Sequence, residues 1–194
     1  AGHQPMASAT GRYVIVFNGE IYNHLELRKE LQDNIWRGHS DTETFLAAFE
    51  RWGVEGTLQR SVGMFAMALW DRETQTLTLT RDRLGEKPLY YGWQNGIFLF
   101  GSELKALKAH PAFTSDINRE ALTLFLRHST IPSPYSIYTG IQKLPPGTYW
   151  QASLVRGHLP TGERGTLKTY WSAREAAERG QRTIFSGTDS EAIE

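Results

Sequence analysis

Asn18-Gly19-Glu20 and, further on, Asp41 are the residues whose types and placement could do chemistry in this sequence. An amide, a backbone N–H with no Cβ in front of it and a carboxylate could together hold a polarised amide carbonyl. The Asn18 side chain and the Gly19 N–H are donors of the kind that stabilise a tetrahedral oxyanion, and glycine lets a substrate approach the main chain. The plainer use of the same residues is a strand-turn-helix junction, with Asn and Gly serving turn geometry. Other constellations carry less. The six histidines show no metal spacing, and with zero cysteines the zinc patterns fail. His39-Ser40-Asp41 holds the letters of a triad, but consecutive residues cannot fold back to hydrogen-bond in series. There is no dinucleotide fingerprint, Walker A loop or aromatic-basic nucleic-acid motif.

The elements around these residues follow from the hydropathy pattern. Tyr13 to Phe17 is a run of β-formers, which predicts a buried strand ending at Asn18-Gly19-Glu20. Asn23, three residues before Glu26, predicts a capped helix of about ten residues that packs on the sheet through Leu25, Leu27 and Leu31. Ser40-Asp41-Thr42-Glu43 opens a second helix with a capping-box pattern; Phe45, Phe49 and Trp52 give it an apolar face and Gly53 a stop. Asp41 there serves the helix dipole, and a cap that fixes its backbone also fixes its carboxylate for other use.

From Met64 to Ser102 the pattern is of hairpins: MFAMALWD and TLTLTRD across RETQ, then PLYYG and IFLFGS across Gln94-Asn95-Gly96. Between them RDRLGEKP, residues 81 to 88, is a charged loop taken as structural. Ser102-Glu103-Leu104-Lys105 predicts another capped helix ending near Pro111, and Asp116 a further one through Ala121, Leu122, Phe125 and Leu126. Pro132 and Pro134 mark a rigid loop. Strands follow from Leu144-Pro145-Pro146-Gly147-Thr148-Tyr149 and near Leu167 to Trp171. Beyond Trp171 the chain turns polar and Ala/Glu-rich, with a helix-start signal at Thr188-Asp189-Ser190-Glu191.

A chain of 194 residues with 40% hydrophobic side chains can build one domain with a real core. Equal numbers of acidic and basic residues, 21 each, provide no field for nucleic acid or an anionic membrane, and neither partner is expected. The longest apolar run, near Met64 to Trp70, falls far short of the ~20 residues that cross a bilayer. No signal peptide is visible, and a cytoplasmic setting is the default for a sequence without cysteine.

VFNGEIYNHLELRKEL, HSDTETFLAAFERWG, RDRLGEKPLYYG, GSELKAL and LPPGTY occur in this order with short spacings. Together they resemble the N-terminal type II glutamine amidotransferase domain, of the N-terminal-nucleophile (Ntn) hydrolase class, of glutamine-hydrolysing asparagine synthetases. The likeness runs from about Gly2 to Trp171. It implies an α+β fold, an α/β/β/α sandwich of two antiparallel sheets, here N-terminally truncated. Residues 1–171 are then a partial amidotransferase domain and 172–194 a linker toward a synthetase domain. Family members begin with a cysteine nucleophile, and Ala1-Gly2-His3-Gln4-Pro5-Met6 matches an interior segment instead.

What the resemblance implies for function is specific. Asn18 and Gly19 are the expected catalytic pair, stabilising the oxyanion; Asn18, Gly19, Glu20 and Asp41 are expected to bind glutamine, the two acids taking its ammonium. The full-length protein would hydrolyse glutamine to glutamate and pass ammonia to ATP-dependent amidation of aspartate, while this stretch alone would be inactive. ATP and Mg are implied only for the synthetase domain, the loop SGGxDS that would hold the nucleotide being absent here; no cofactor is expected in this stretch. Expected partners are glutamine and the synthetase domain of the same protein, with a homodimer open as a further one. One alternative is a scaffold domain of a β-lactam-synthetase-like enzyme, but a site without substrate would have no reason to keep all four residues. An amidotransferase acting on sugar-acid carboxylates instead of aspartate is a second, since the residues that choose the acceptor lie outside this stretch. A non-catalytic interaction domain is the remaining alternative.

Overall fold

The computed structural model describes residues 3–32, 35–155, 158–159, 165–183 and 186–188. In order of sequence, β1 (Met6–Ala7) and β2 (Tyr13–Ile21) lead into helices α1 (His24–Glu30) and α2 (Asp41–Arg60). Two hairpins follow, β3 (Gly63–Asp71) with β4 (Thr76–Arg81) and β5 (Tyr90–Gln94) with β6 (Ile97–Gly101). Then come α3 (Leu104–Lys108), α4 (Arg119–His128), β7 (Ile141–Lys143), β8 (Thr148–Ser153), β9 (Thr166–Thr169) and α5 (Ala173–Arg182). The strands form two antiparallel sheets, one ordered β1-β2-β3-β4-β8-β9 and one ordered β6-β5-β7.

Strand alternation sorts the side chains into layers. Tyr13, Ile15, Phe17 and Ile21 of β2, with Phe65, Met67 and Leu69 of β3, face α2 and its buried Phe45, Leu46 and Phe49. The Phe45 ring lies 4.6 Å from that of Phe49 and stands edge-on to Phe17 and Phe65. The opposite face of the same sheet, with Ala66, Ala68, Leu77, Leu79 and Trp150, meets the second sheet, where Phe98 stacks on Trp150 at 5.0 Å. The outer face of the second sheet, with Leu99 and Ile141, is closed by Leu107 of α3. Helix, sheet, sheet and helix thus stack as the expected α/β/β/α sandwich.

Both hairpins form where their patterns place them, and Asn95 and Gly96 take the positive φ values, 49° and 75°, that a tight two-residue turn needs. Other expectations need correction. The first strand does not end at Asn18: it continues through Ile21, paired residue for residue with β3. α1 is seven residues long, and Leu25 is exposed. Asn23 does not cap it, because the Asn23 side chain accepts from Val62 N and donates to Arg60 O, tying the end of α2 to the start of β3. Gly53 does break helical geometry, at φ 67°, but a second helical segment carries on to Arg60. α4 starts at Arg119, capped by Asn118, since Ile117 pairs with Tyr138 in a bridge. The strands β1 and β7 and the helix α5, within the expected linker, were not foreseen; of the later helix-start signal, residues 189–191 lie outside the described residues.

Candidate active site

The edge of β2 organises the site. In an antiparallel strand successive N–H groups point to opposite edges. Tyr22 N donates to Val62 O, on the β3 side, so the odd-numbered residues direct their N–H groups the other way. Along that other edge Ile15 pairs with Met6, and Phe17 is held by the Gln4 side chain, which accepts from Phe17 N and donates to Phe17 O. Ile21 N then donates to Asp41 Oδ2 at 2.9 Å. Gly19 lies between them, and its N–H has no acceptor among the described residues. Asn18, Gly19 and Glu20 therefore sit inside a strand, with one edge open beyond the reach of β1.

Gly19 is glycine for a packing reason. A Cβ there would lie 2.2 Å from Met64 O and 2.6 Å from Phe65 Cα, so β3 approaches too closely for any side chain. Gly63, across from Ile21, has the same character: its Cβ would meet Glu20 O at 2.2 Å. For Gly19 it is strand closeness, rather than the turn the sequence suggested, that accounts for the glycine, and Gly63 follows the same rule.

Asp41 opens α2, where Ser40 Oγ caps the helix by accepting from Glu43 N. The second half of the capping box is not made. Glu43 instead accepts from Arg37 N and Gly38 N and pairs with Arg28 of α1 at 3.3 Å. Asp41 Oδ1 accepts from Thr42 N at 2.7 Å and from Thr42 Oγ1 at 3.3 Å. With the Ile21 bond that makes three donors on a carboxylate that can accept about four, leaving room on Oδ2 for one more. Since the Ile21 N–H belongs to the peptide that follows Glu20, the same bond fixes Asp41 against the Glu20–Ile21 main chain.

Asn18 and Glu20 project from the opposite face of β2, toward the second sheet, and both are exposed. The Asn18 amide does not hang free: its Nδ2 donates to Ser102 Oγ, just past β6, at 3.0 Å. Ser102, which looked like a helix cap, makes no cap bond to α3, whose N-cap is Glu103. The loop 81–88 closes the far side of β3. Asp82 is fully buried and accepts from Phe65 N, Leu84 N, Glu86 N and Lys87 N, while Arg81 donates to the carbonyls of Gly85, Lys87 and Leu144. Phe65 is the partner of Gly19 in the ladder, so this loop is anchored directly behind the site.

Desolvation first, then the carboxylates of Glu86, Glu20 and Asp82, push the Tyr22 hydroxyl, just beyond β2, above its ordinary range. A cavity of about 390 Å³ lies beside the N-terminus of α2, lined by Met6, Ser8, Trp36, Ser40 and Leu46 among others; none of the four candidate residues lines it. No group of His, Asp or Glu among the described residues could hold a metal ion, and no helix among them is long and apolar enough to cross a membrane. Sequence reasoning missed Gln4 and Ser102. Gln4 stood in the segment that matched an interior part of the family, with nothing local to show its bond to Phe17, and Ser102 carried the signal of a cap.

Solved structures share this fold. A glutamine phosphoribosylpyrophosphate amidotransferase from B. subtilis superposes with a TM-score of 0.59 over 87% of this chain and 32% of its own, at 18% identity. A glutamine aminotransferase class-II domain protein from Silicibacter pomeroyi superposes at 0.52 over 88% of this chain and 73% of its own, at 13% identity. The chain shares its fold with both. The glutamine amidotransferase domain family model matches residues 1–171, and the chain belongs to that family. Among curated relatives, asparagine synthetase [glutamine-hydrolyzing] 2 of Bacillus subtilis is 34% identical over 179 residues, 90% of this chain and 23% of the relative. Asparagine synthetase B [glutamine-hydrolyzing] of Escherichia coli is 42% identical over 109 residues, 55% of this chain and 20% of the relative. The chain spans about a quarter of the length of the relatives it matches.

Proposed function

We propose that this domain is the glutaminase part of a glutamine-dependent asparagine synthetase and that Asn18, Gly19, Glu20 and Asp41 form its glutamine site. The observation that carries the proposal is the Asp41 Oδ2 bond to Ile21 N at 2.9 Å, which brings the acid at the start of α2 to the same strand edge as the unpartnered Gly19 N–H. Charge and hydrogen-bonding capacity then divide the work. Asp41 and Glu20 take the α-ammonium of glutamine, a charge-assisted contact. The Asn18 amide and the Gly19 N–H receive the carbonyl oxygen of the substrate amide as it becomes an oxyanion.

The reaction splits the C–N bond of the glutamine carboxamide with water, giving glutamate and ammonia. The attacking group is not among the residues of this sequence, which has no cysteine. In the longer protein an N-terminal cysteine thiolate fills that role, with its own amine as base. The ammonia passes to a synthetase domain of the same protein, where ATP and Mg support amidation of aspartate; no ATP-binding loop is present in this sequence. The test is Asn18→Ala in the full-length enzyme. Loss of one oxyanion donor should lower the glutaminase kcat by about 10²- to 10³-fold without altering thermal unfolding. Unchanged turnover would remove Asn18 from the site.

A further inference from the structure

Ser102 lies 84 residues from Asn18 in the sequence and on the other sheet, yet its hydroxyl accepts the Asn18 Nδ2 hydrogen at 3.0 Å. Three features set this contact apart from an incidental surface bond. The Asn18 side chain is on the exposed stretch of β2, where an unrestrained amide would rotate in water. The Ser102 hydroxyl is spared from helix capping, because α3 begins after Glu103, which has extended backbone (φ −134°, ψ 137°) and whose carboxylate makes no cap bond. The position of Ser102 is itself fixed: it directly follows Gly101, where a Cβ would lie 2.8 Å from Leu107 Cδ1, so the end of β6 is packed tightly on α3.

We propose that Ser102 is a positioning residue for glutamine hydrolysis, holding the plane of the Asn18 amide so that its second Nδ2 hydrogen is set toward the oxyanion before the substrate arrives. This rests on the assignment of Asn18 as an oxyanion donor. An amide has two N–H groups on one planar nitrogen, so fixing one of them directs the other. A donor that is already oriented needs no reorganisation as charge develops, which is where such groups act most strongly. Ser102 itself touches no reacting atom. Its influence passes wholly through Asn18.

The test is steady-state glutaminase kinetics on the full-length enzyme with Ser102→Ala, Ser102→Thr, Ser102→Val, Asn18→Ala and the Asn18→Ala/Ser102→Ala pair, each checked for unchanged thermal unfolding. Removing one ordinary hydrogen bond should lower kcat by about tenfold in Ser102→Ala, with KM for glutamine within about twofold. Threonine, which keeps the hydroxyl, should restore kcat, and the near-isosteric valine should not. In the Asn18→Ala background Ser102→Ala should do nothing further. Full activity in Ser102→Val, or independent losses that multiply in the double variant, would overturn the inference while leaving Asn18 in place. If Asn18→Ala itself kept full turnover, the site assignment would fall and Ser102 with it.

Discussion

Replacing Gly19 by alanine tests how tightly β2 and β3 are joined at the site. The new Cβ would stand 2.2 Å from Met64 O, 2.6 Å from Phe65 Cα and 2.7 Å from Phe65 Cβ. Non-bonded carbon atoms prefer about 3.5 to 4.0 Å, so each contact falls short by about 1 Å or more. None of these atoms can swing away, since two belong to the backbone and the third is a Cβ. Nor can β3 simply move back: Phe65 and Ala66 are 1% and 2% exposed, between α2 and the second sheet, and Phe65 N is bonded to Asp82. Overpacking of this kind costs about 1 to 3 kcal/mol, and a site unable to relax belongs at the upper end. For a protein of this size about 3 kcal/mol lowers Tm by roughly 6 to 12 °C. Thermal unfolding followed by circular dichroism reads the shift directly, with Asn18→Ala as the control that leaves Tm in place. A Gly19→Ala variant melting within about 1 °C of the parent would refute the close approach of the two strands.

Asp82→Asn should be strongly destabilising, because the amide nitrogen would face two of the four N–H groups that the buried carboxylate now accepts. At about 1 to 3 kcal/mol for each stranded donor, the loss should be about 3 kcal/mol or more, read as a lower urea midpoint with unchanged slope; an unchanged midpoint would contradict the bonding of the loop. Acid stability should depend on Asp71. Burial pushes its carboxyl up, but hydrogen bonds from Arg12, Thr74 and the Glu73 and Thr74 backbone outweigh that and hold it below the ordinary range. Its depressed value means that the stabilisation is present above about pH 4, the ordinary carboxyl value, and is lost as pH falls through the folded value. Asp71→Asn should thus flatten that part of the Tm-against-pH curve, and parallel curves below about pH 4 would count against the Arg12 pairing.

Much of the fold was legible because it rests on alternation and turn chemistry. The two hairpins follow from runs of β-formers around RETQ and around Asn95-Gly96, and the buried Phe45 and Phe49 from helical spacing. What the sequence hid were polar side chains used across the fold instead of locally. Asn23, Glu43 and Ser102 all stand where a helix start would use them, yet Asn23 ties α2 to β3, Glu43 secures the 37–38 loop and Arg28, and Ser102 reaches Asn18. Local patterns cannot reveal which of two partners a hydroxyl or carboxylate will choose when the second is brought in by tertiary packing. β1 and β7 span two and three residues, too few for a periodicity to register. For the site, the residue types at Asn18, Gly19, Glu20 and Asp41 were visible, but their geometry was not. Strand continuation to Ile21 turned an expected junction into an open edge, and the reason for glycine moved from turn to strand contact.

The claim that Asp41 and Glu20 hold the ammonium of glutamine is tested most directly by Asp41→Asn in the full-length enzyme, assayed for glutamate release. Asparagine keeps the size of the side chain and an oxygen for the Ile21 N–H, but removes the charge and sets its nitrogen against Thr42 N. Loss of one charge-assisted contact of about 1.5 to 3 kcal/mol should raise KM for glutamine by about 10- to 100-fold, with kcat changed much less. The stranded Thr42 N–H should cost about 1 kcal/mol of stability, so the assay is run well below the variant's melting temperature. An Asp41→Asn enzyme that keeps the parental KM would contradict the assignment and leave Asp41 as a helix-start residue alone.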